Sequence, residues 1–207
     1  MEEVLDVYER SYNATCPVIG FDEKPCQLLG EVLRPVNPKP GRVKRVDSHY
    51  RRHGTANLFG WVEPLTGQRD VWLSERRTAI DYAQALKRIS DAFPKADLIV
   101  IVQDNLNTHK KAALYEAFEP KMARRLAQRF AFHFTPKHGS WLNVQEIEWS
   151  ALERQALGER PGDKQQLERV VNRWLDDRRE RAVKIDWQFT TPDARLKLKR
   201  LYPEITG

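Results

Sequence analysis

The sequence predicts an α/β fold in which a mixed β-sheet carries helices on its faces. Residues 98–102 form an unbroken apolar, mostly β-branched run, which is typical of a strand buried on both faces. Residues 57–62 and 68–73 flank a glycine-containing connection, as the two strands of a hairpin do. After the hairpin, apolar residues at helical spacing alternate with strand-like runs, which predicts helices packed on the sheet.

The other elements follow from the same patterns. Apolar residues at helical spacing within residues 1–15 predict a linker helix. Residues 17–21 predict a strand that runs into Asp22, and residues 27–29 are expected to continue it after a kink at Pro25. The later predictions are helices over 78–93, 109–128 (interrupted near Pro120), 141–157, 163–179 and 192–201, and a strand over 130–134.

The stretch 34–54 differs in composition from the rest of the chain. Its prolines break any regular element, so we expect a long loop, and loops of this length are usually functional or disordered. The stretch is also strongly basic through Arg42, Lys44, Arg45, Arg51 and Arg52.

Composition limits the protein's surroundings and partners. Lysine and arginine number 35 against 29 aspartate and glutamate residues, a net charge of +6. This excess suits a partner with a phosphate backbone, although many basic proteins bind no nucleic acid. No apolar run approaches the roughly 20 residues that span a bilayer, and the acidic N-terminus is unlike a signal peptide, so we expect a cytoplasmic protein without membrane contact.

Cys16 and Cys26 fit no zinc-binding spacing, and we expect reduced thiols.

Two aspartates each follow a predicted buried strand. Asp22 and Asp104 would lie in one site if their strands are neighbours, because ligands of open α/β sheets gather at the carboxyl ends of strands. Adjacent carboxylates repel each other unless a cation lies between them, and hard oxygen ligands suit Mg²⁺ or Mn²⁺. Glu146 and Glu148 are candidates for a third acid, but two residues apart on a helix they point to different faces, so only one would join the site. Glu148 and Glu23 are expected to be solvated or to support the site.

Four blocks, in the right order, resemble the DDE transposases of the bacterial insertion-sequence branch of the mariner superfamily. The blocks are residues 22–24 (DEK), 104–109 (DNLNTH), 135–146 (TPKHGSWLNVQE) and 187–198 (WQFTTPDARLKL). The resemblance implies a ribonuclease-H-like fold, a five-stranded mixed sheet flanked by helices. We expect it over residues 16–183, followed by a basic C-terminal segment over 184–207.

The same resemblance implies an enzyme and its site. Asp22, Asp104 and Glu146 would be the catalytic, metal-binding acids and would hold two Mg²⁺ or Mn²⁺ ions, with Asp22 bridging both. The protein would cleave transposon ends by hydrolysis and then transfer the freed 3′-hydroxyl into target DNA at TA dinucleotides. Its partner would be double-stranded DNA, bound by a homodimer in the synaptic complex and associated with a bacterial nucleoid. Full-length members carry N-terminal helix-turn-helix modules that recognise the ends, and we expect this chain to lack them.

Several residues around the three acids have two interpretations each. Asn105 and His109 could orient Asp104 or a phosphate, or could only form the turn and the helix start. Lys137 and His138 could touch DNA phosphate, or could lie in an ordinary exposed turn. Trp141 is more often a core residue than a platform for base stacking.

The basic stretch 34–54 lies where mariner relatives carry a loop that reaches the second transposase of the pair. Its cations would contact DNA or the partner, and the alternative is a disordered surface loop. Three alternatives to a transposase remain: a ribonuclease-H-like nuclease without joining activity, an inactive domesticated DNA-binding relative, and a metal phosphatase, which the basic loop and tail disfavour.

Overall fold

The computed structural model of the protein describes residues 1–31, 50–137 and 139–202. The strands are β1 (Val18–Glu31), β2 (Tyr50–Val62), β3 (Arg69–Ser74), β4 (Ile99–Gln103) and β5 (Phe130–Phe134). The helices are α1 (Glu2–Tyr8), α2 (Ala79–Ala92), α3 (Ala112–Ala117), α4 (Pro120–Gln128), α5 (Val144–Ala156), α6 (Lys164–Glu180) and α7 (Thr191–Lys197), with 3-10 turns at Ser140–Leu142 and Lys199–Leu201. No helix in these ranges combines the length and the apolar composition that crossing a membrane would need.

The five strands form one mixed sheet in the order β3-β2-β1-β4-β5. β2 pairs antiparallel with β1 and with β3, and the β2–β3 pair is the predicted hairpin. β4 pairs parallel with β1 and with β5, and all five of its residues are buried, as its sequence predicts. The expected α/β fold, a mixed sheet flanked by helices, is confirmed.

The kink expected at Pro25 does not end the first strand. β1 runs on to Glu31 because β2 pairs with it over this length, whereas β4 pairs with it only as far as Gly20 in the described structure. Beyond that point one edge of β1 is free of a described neighbour, and proline, which has no N–H to donate, is tolerated on such an edge. Asp22 therefore lies inside β1 rather than just past the end of a strand, as the sequence had suggested.

The prediction of a loop over residues 34–54 is wrong at its C-terminal end, because β2 begins at Tyr50. Residues 29–31 of β1 pair with the first residues of β2, including Arg51 and Arg52. This pairing uses backbone hydrogen bonds, so a proline-rich, basic composition gave no signal of it. Arg42, Lys44 and Arg45 lie outside the described residues.

Alternating residues of the strands build a core on each face of the sheet. One face packs α2, α3 and α4 over the residues Ile19, Phe21, Phe59, Ile99 and Ile101. The other face carries α5 and α6 over β2 and β3, and α1 and the C-terminal segment over Val18, Val62, Val100 and Val102. The period of two along each strand thus places neighbouring residues in different cores.

The two terminal segments pack together on the sheet. In α1, Val4, Leu5 and Val7 are almost completely buried, and the ring of Tyr8 lies 5.0 Å from that of Trp187. The predicted basic helix over 192–201 is α7 followed by a 3-10 turn, and Arg195 of α7 pairs with Glu2 at 2.7 Å. α1 and α7 therefore share the core of the sheet in the described structure.

Two glycines let α5 lie directly against the sheet. A Cβ atom on Gly20 would lie 2.4 Å from a methyl carbon of Val144, and one on Gly60 would lie 2.5 Å from the ring of Trp149. Distances below 3.0 Å require a shift of the neighbour. The absence of side chains at these two positions sets how closely the N-terminal half of α5 approaches β1 and β2.

Replacing Gly60 with alanine is expected to destabilise the protein by about 1–3 kcal/mol, because the added methyl group overpacks the contact with α5. Gly158→Ala is the matched control, since its new Cβ would meet no heavy atom within 4 Å. Urea unfolding of both variants checks the prediction. If both have the same midpoint as the parent chain, the close approach of α5 is not important for stability.

Candidate active site

The parallel pairing of β1 and β4 places the two predicted aspartates level with each other. Gly20 pairs with Val102, and each aspartate lies two residues further along its own chain. Asp22 is on the α5 face of the sheet and is 9 % exposed, whereas Asp104 follows the last residue of β4 and is half-buried. The condition under which the two aspartates would share a site, that their strands are neighbours, is therefore met, although Asp22 is within its strand.

Asn143 attaches the start of α5 to β1. As the N-cap residue, its Oδ1 accepts a hydrogen bond from the backbone N–H of Gln145 at 3.1 Å, while its Nδ2 donates to the carbonyl oxygen of Phe21 at 2.8 Å. One turn further on, Nε1 of Trp149 donates to Oδ2 of Asp22 at 3.2 Å. These contacts hold the first turn of α5, with the half-buried Glu146, beside Asp22.

Burial and two neighbouring carboxylates perturb Asp22. Burial is the largest cause that raises its pKa, followed by the negative charges of Glu146 and Asp104, and the result is a pKa of about 7. Hydrogen bonds from the backbone N–H of Glu23 and from Trp149 oppose this shift only in part. The three predicted acids, from three different elements, are therefore close enough to interact electrostatically.

The raised pKa of Asp22 predicts that the protein without metal loses stability as pH rises between about 4 and 7. The folded state holds the proton more tightly than the unfolded state, so the contribution is complete below about 4 and is lost by about 7. Asp22→Asn, which stays neutral, should gain stability relative to the parent chain between pH 5 and pH 8. Thermal unfolding with chelator at both pH values measures this, and a pH-independent difference would contradict it.

His109 joins Asp104 to a carboxylate on the opposite face of the sheet. Its Nδ1 lies 2.8 Å from Oδ1 of Asp104 and 3.1 Å from the carbonyl oxygen of the same residue, and its Nε2 lies 3.2 Å from Oε1 of Glu23. Burial lowers the pKa of His109, but the hydrogen bonds with Asp104 and Glu23 outweigh burial and raise it to about 9. Of its two interpretations, the structure favours a contact with Asp104.

The other predicted residues are exposed, lie outside the described ranges or are described only as backbone positions. Asn105 and Lys137 are exposed, in the turns after β4 and β5. The side chain of Trp141 is 43 % exposed and meets the ring of Phe189 edge-to-face, so it is not a core residue. His138 lies outside the described residues, and Arg51 and Arg52 are described only as backbone positions of β2.

The two other glutamates that sequence analysis considered are buried rather than solvated. Glu148 is 1 % exposed and lies between Arg69 and Arg178, on the side of α5 away from Glu146. Glu146 and Glu148 therefore lie on different sides of α5, as their spacing of two residues predicts, and that only one of them joins the metal site stays a prediction. Glu23 is 8 % exposed and contacts His109, which no sequence signal indicated, because the two residues lie 86 positions apart.

Three further residues near Asp22 were not predicted to have a role in the site. Asn143 stands immediately before an apolar helical run, and this N-cap signal could have been recognised. Gln145 is fully buried between the helix and the sheet, and neither atom of its amide has a hydrogen-bond partner among the described residues. Trp149 was predicted only as part of a helix, and its bond to Asp22 depends on tertiary packing.

The donor chemistry of the three acids suits a hard divalent cation. Asp22 is buried beside two other carboxylates, and its hydrogen-bond partners in the described structure are the neutral N–H groups of Trp149 and Glu23. Among the described residues, however, no three Asp, Glu, His or Cys side chains converge closely enough to enclose an ion as they stand. The oxygen donors fit Mg²⁺ or Mn²⁺, and binding would require the carboxylates to draw closer together.

Solved structures with the same fold include several of the Mos1 mariner transposase. The Mos1 paired-end complex with Mn has a TM-score of 0.54 and 18% identity over 85% of this chain and 51% of that one. The Mos1 paired-end complex with the left transposon end has a TM-score of 0.56 and 16% identity over 84% and 52%. This similarity shows a ribonuclease-H-like fold, and the chain spans about half the length of these matched proteins.

Sequence comparison assigns the family. No curated protein matches the chain. The sequence model of the DDE superfamily endonuclease domain, in contrast, matches residues 17–168, a range that includes β1 to the start of α6 and all three acids. Because this match covers most of the chain, the protein belongs to the DDE superfamily endonucleases.

Proposed function

We propose that the chain is the catalytic domain of a DNA transposase of the bacterial insertion-sequence branch, which cleaves transposon ends and joins them to target DNA. The observation that carries the proposal is that Asp22, Asp104 and Glu146, from β1, the end of β4 and α5, lie close enough for the charges of Glu146 and Asp104 to raise the pKa of Asp22. Three carboxylates beside one another would repel the phosphates that a simple DNA-binding protein must attract. Their presence in a DDE endonuclease domain instead favours metal-dependent phosphodiester chemistry.

The three acids Asp22, Asp104 and Glu146 would together hold two Mg²⁺ or Mn²⁺ ions. Ions bound in this way stabilise negative charge on the attacking and leaving oxygens of an in-line displacement. The protein's own contribution is to fix the ligands: Asn143 and Trp149 hold α5 against β1, and His109 contacts Asp104. Rigid ligands reduce the reorganisation that binding and reaction require.

Double-stranded DNA is the proposed partner, in a complex of two copies of the protein that pairs two transposon ends. The chain has a net charge of +6, which favours contact with phosphate groups. The matched Mos1 structures are a paired-end complex and a strand-transfer complex of that protein, and they support the same assembly here. Lys137, exposed in the turn that leads to α5, is proposed to contact a phosphate group, and insertion at TA dinucleotides and nucleoid association remain expectations.

A joining assay distinguishes a transposase from a nuclease. Short blunt duplexes with free 3′-hydroxyl ends are incubated at low salt with the protein, a supercoiled plasmid and Mn²⁺ or Mg²⁺. A transposase is expected to give metal-dependent products in which the duplex is covalently joined to the plasmid. Plasmid nicking without joining would support the alternative of a ribonuclease-H-like nuclease, and DNA binding without either reaction would support an inactive relative.

A further inference from the structure

Resting on the proposed function, we propose that Glu23 is a positioning residue for the metal site and acts on Asp104 through His109. Oε1 of Glu23 lies 3.2 Å from Nε2 of His109, and the other ring nitrogen, Nδ1, lies 2.8 Å from Oδ1 of Asp104. The imidazole ring therefore connects two carboxylates that belong to different strands. The contact fixes the ring orientation of His109 and, through it, the direction in which Asp104 presents its free oxygen.

The geometry of β1 gives Glu23 this role. Successive residues of a strand point to opposite faces, so Asp22 faces α5 and Glu23 faces α2. The adjacent residues Asp22 and Glu23 thus act on the same site from two faces of the sheet. Asp22 is a proposed metal ligand, and Glu23 supports the second ligand, Asp104. The side chains of Glu23 and His109 are 1% and 0% exposed, so water does not compete for their contact.

Packing against two aromatic rings restricts the orientations that the His109 ring can adopt. The ring of Tyr82 stacks on that of His109 with centroids 4.5 Å apart, and Phe21 meets it edge-on at 5.8 Å. The hydroxyl group of Tyr82 donates to Oε1 of Gln103, the residue before Asp104, at 2.9 Å. With the ring plane fixed in this way, the hydrogen bond to Glu23 determines which ring atoms face Asp104.

Asp104 needs such support because it lies beyond the last residue of β4. Residues 104–111 belong to no strand or α-helix, and the side chain of Asp104 is 35 % exposed. A backbone hydrogen bond from His109 to the carbonyl oxygen of Leu106 closes the turn. In metal sites, partners that orient a ligand typically change metal affinity by 10–100-fold when they are removed.

The test compares Mn²⁺ affinity, measured by electron paramagnetic resonance, among variants of the whole chain. Glu23→Leu, which removes the acceptor at similar size, is expected to weaken Mn²⁺ binding by about 10–100-fold. Glu23→Gln keeps an oxygen acceptor for Nε2 and should lose less affinity than Glu23→Leu. Glu75→Gln, an exposed carboxylate that pairs with Lys164, is the control and should bind Mn²⁺ as the parent chain does.

A double-mutant cycle separates positioning from a merely structural role. His109→Ala should weaken Mn²⁺ binding as much as Glu23→Leu does, and the double variant should lose no more than either single variant. Unchanged affinity in Glu23→Leu, or losses that add in the double variant, would overturn the proposal. If Glu23→Leu fails to fold, Glu23→Ala and Glu23→Gln make the same comparison. Absence of Mn²⁺ binding by the parent chain would refute the proposed metal site and, with it, this role of Glu23.

Discussion

Asp104→Asn is expected to reduce metal-dependent DNA cleavage and joining by more than about 100-fold, while the protein keeps its fold. Asparagine has the same size as aspartate but lacks the charge of a metal ligand, and even residues that only orient ligands cost 10–100-fold. DNA affinity should be unchanged or higher, because one negative charge leaves a site that faces phosphate. Cleavage and joining of plasmid DNA, together with fluorescence anisotropy for DNA affinity, measure the two effects.

Asp97→Asn is the matched control for this substitution. Asp97 is exposed and lies just before β4, at the opposite end of the strand from Asp104. The Asp97→Asn variant should keep full activity with either metal ion. If Asp104→Asn also retains Mg²⁺-dependent cleavage, the assignment of Asp104 as a metal ligand is wrong and so is the proposed site.

Glu148→Gln is expected to lower the free energy of unfolding by about 3–5 kcal/mol, because it leaves two buried guanidinium groups without their counter-ion. Oε2 of Glu148 lies 3.1 Å from Nη1 of Arg69, and its Oε1 lies 2.6 Å from Nη2 of Arg178. The three side chains are 2%, 1% and 9% exposed, so solvent screens them poorly. The cluster joins α5 to β3 and to α6.

Urea unfolding of Glu148→Gln and of a second α5 variant, Glu153→Gln, measures the effect. Glu153 pairs with Lys24 at 2.8 Å but is 56% exposed, and an exposed pair contributes at most about 1 kcal/mol. A loss below about 1 kcal/mol in Glu148→Gln would show that the buried cluster does not hold α5 in place. Because Glu148 points away from Asp22, its substitution should reduce activity only in proportion to the folded fraction.

The elements that can be predicted from the amino-acid sequence are those with a local pattern. The apolar run over 98–102 predicts β4, because a strand covered on both faces has no polar side. The apolar spacing over residues 78–93 predicts α2, and Pro120 in the first turn of α4 explains why the helical region after β4 is divided. The positions of Asp22 and Asp104 after apolar runs predict a shared site only if the two strands are neighbours, and that pairing is seen only in the structure.

The lengths of the paired strands β1 and β2, in contrast, depend on tertiary contacts. Pro25 and the basic residues after Tyr50 lack the pattern of a strand, yet they lie in one because the partner strand supplies the backbone hydrogen bonds. The pairing partner of a strand is not encoded in the composition of that strand alone. Local propensity is therefore overridden where a neighbouring strand is available.

Tertiary structure likewise decided the environment of each acid. Glu23, Glu146 and Glu148 differ little as isolated residues, but one contacts His109, one lies beside Asp22 and one is buried between two arginines. The contacts between Glu23 and His109 and between Trp149 and Asp22 join residues 86 and 127 positions apart in the chain. Whether a carboxylate binds metal, positions a ligand or stabilises the core depends on burial and on neighbouring charges, and both arise only when distant segments pack together.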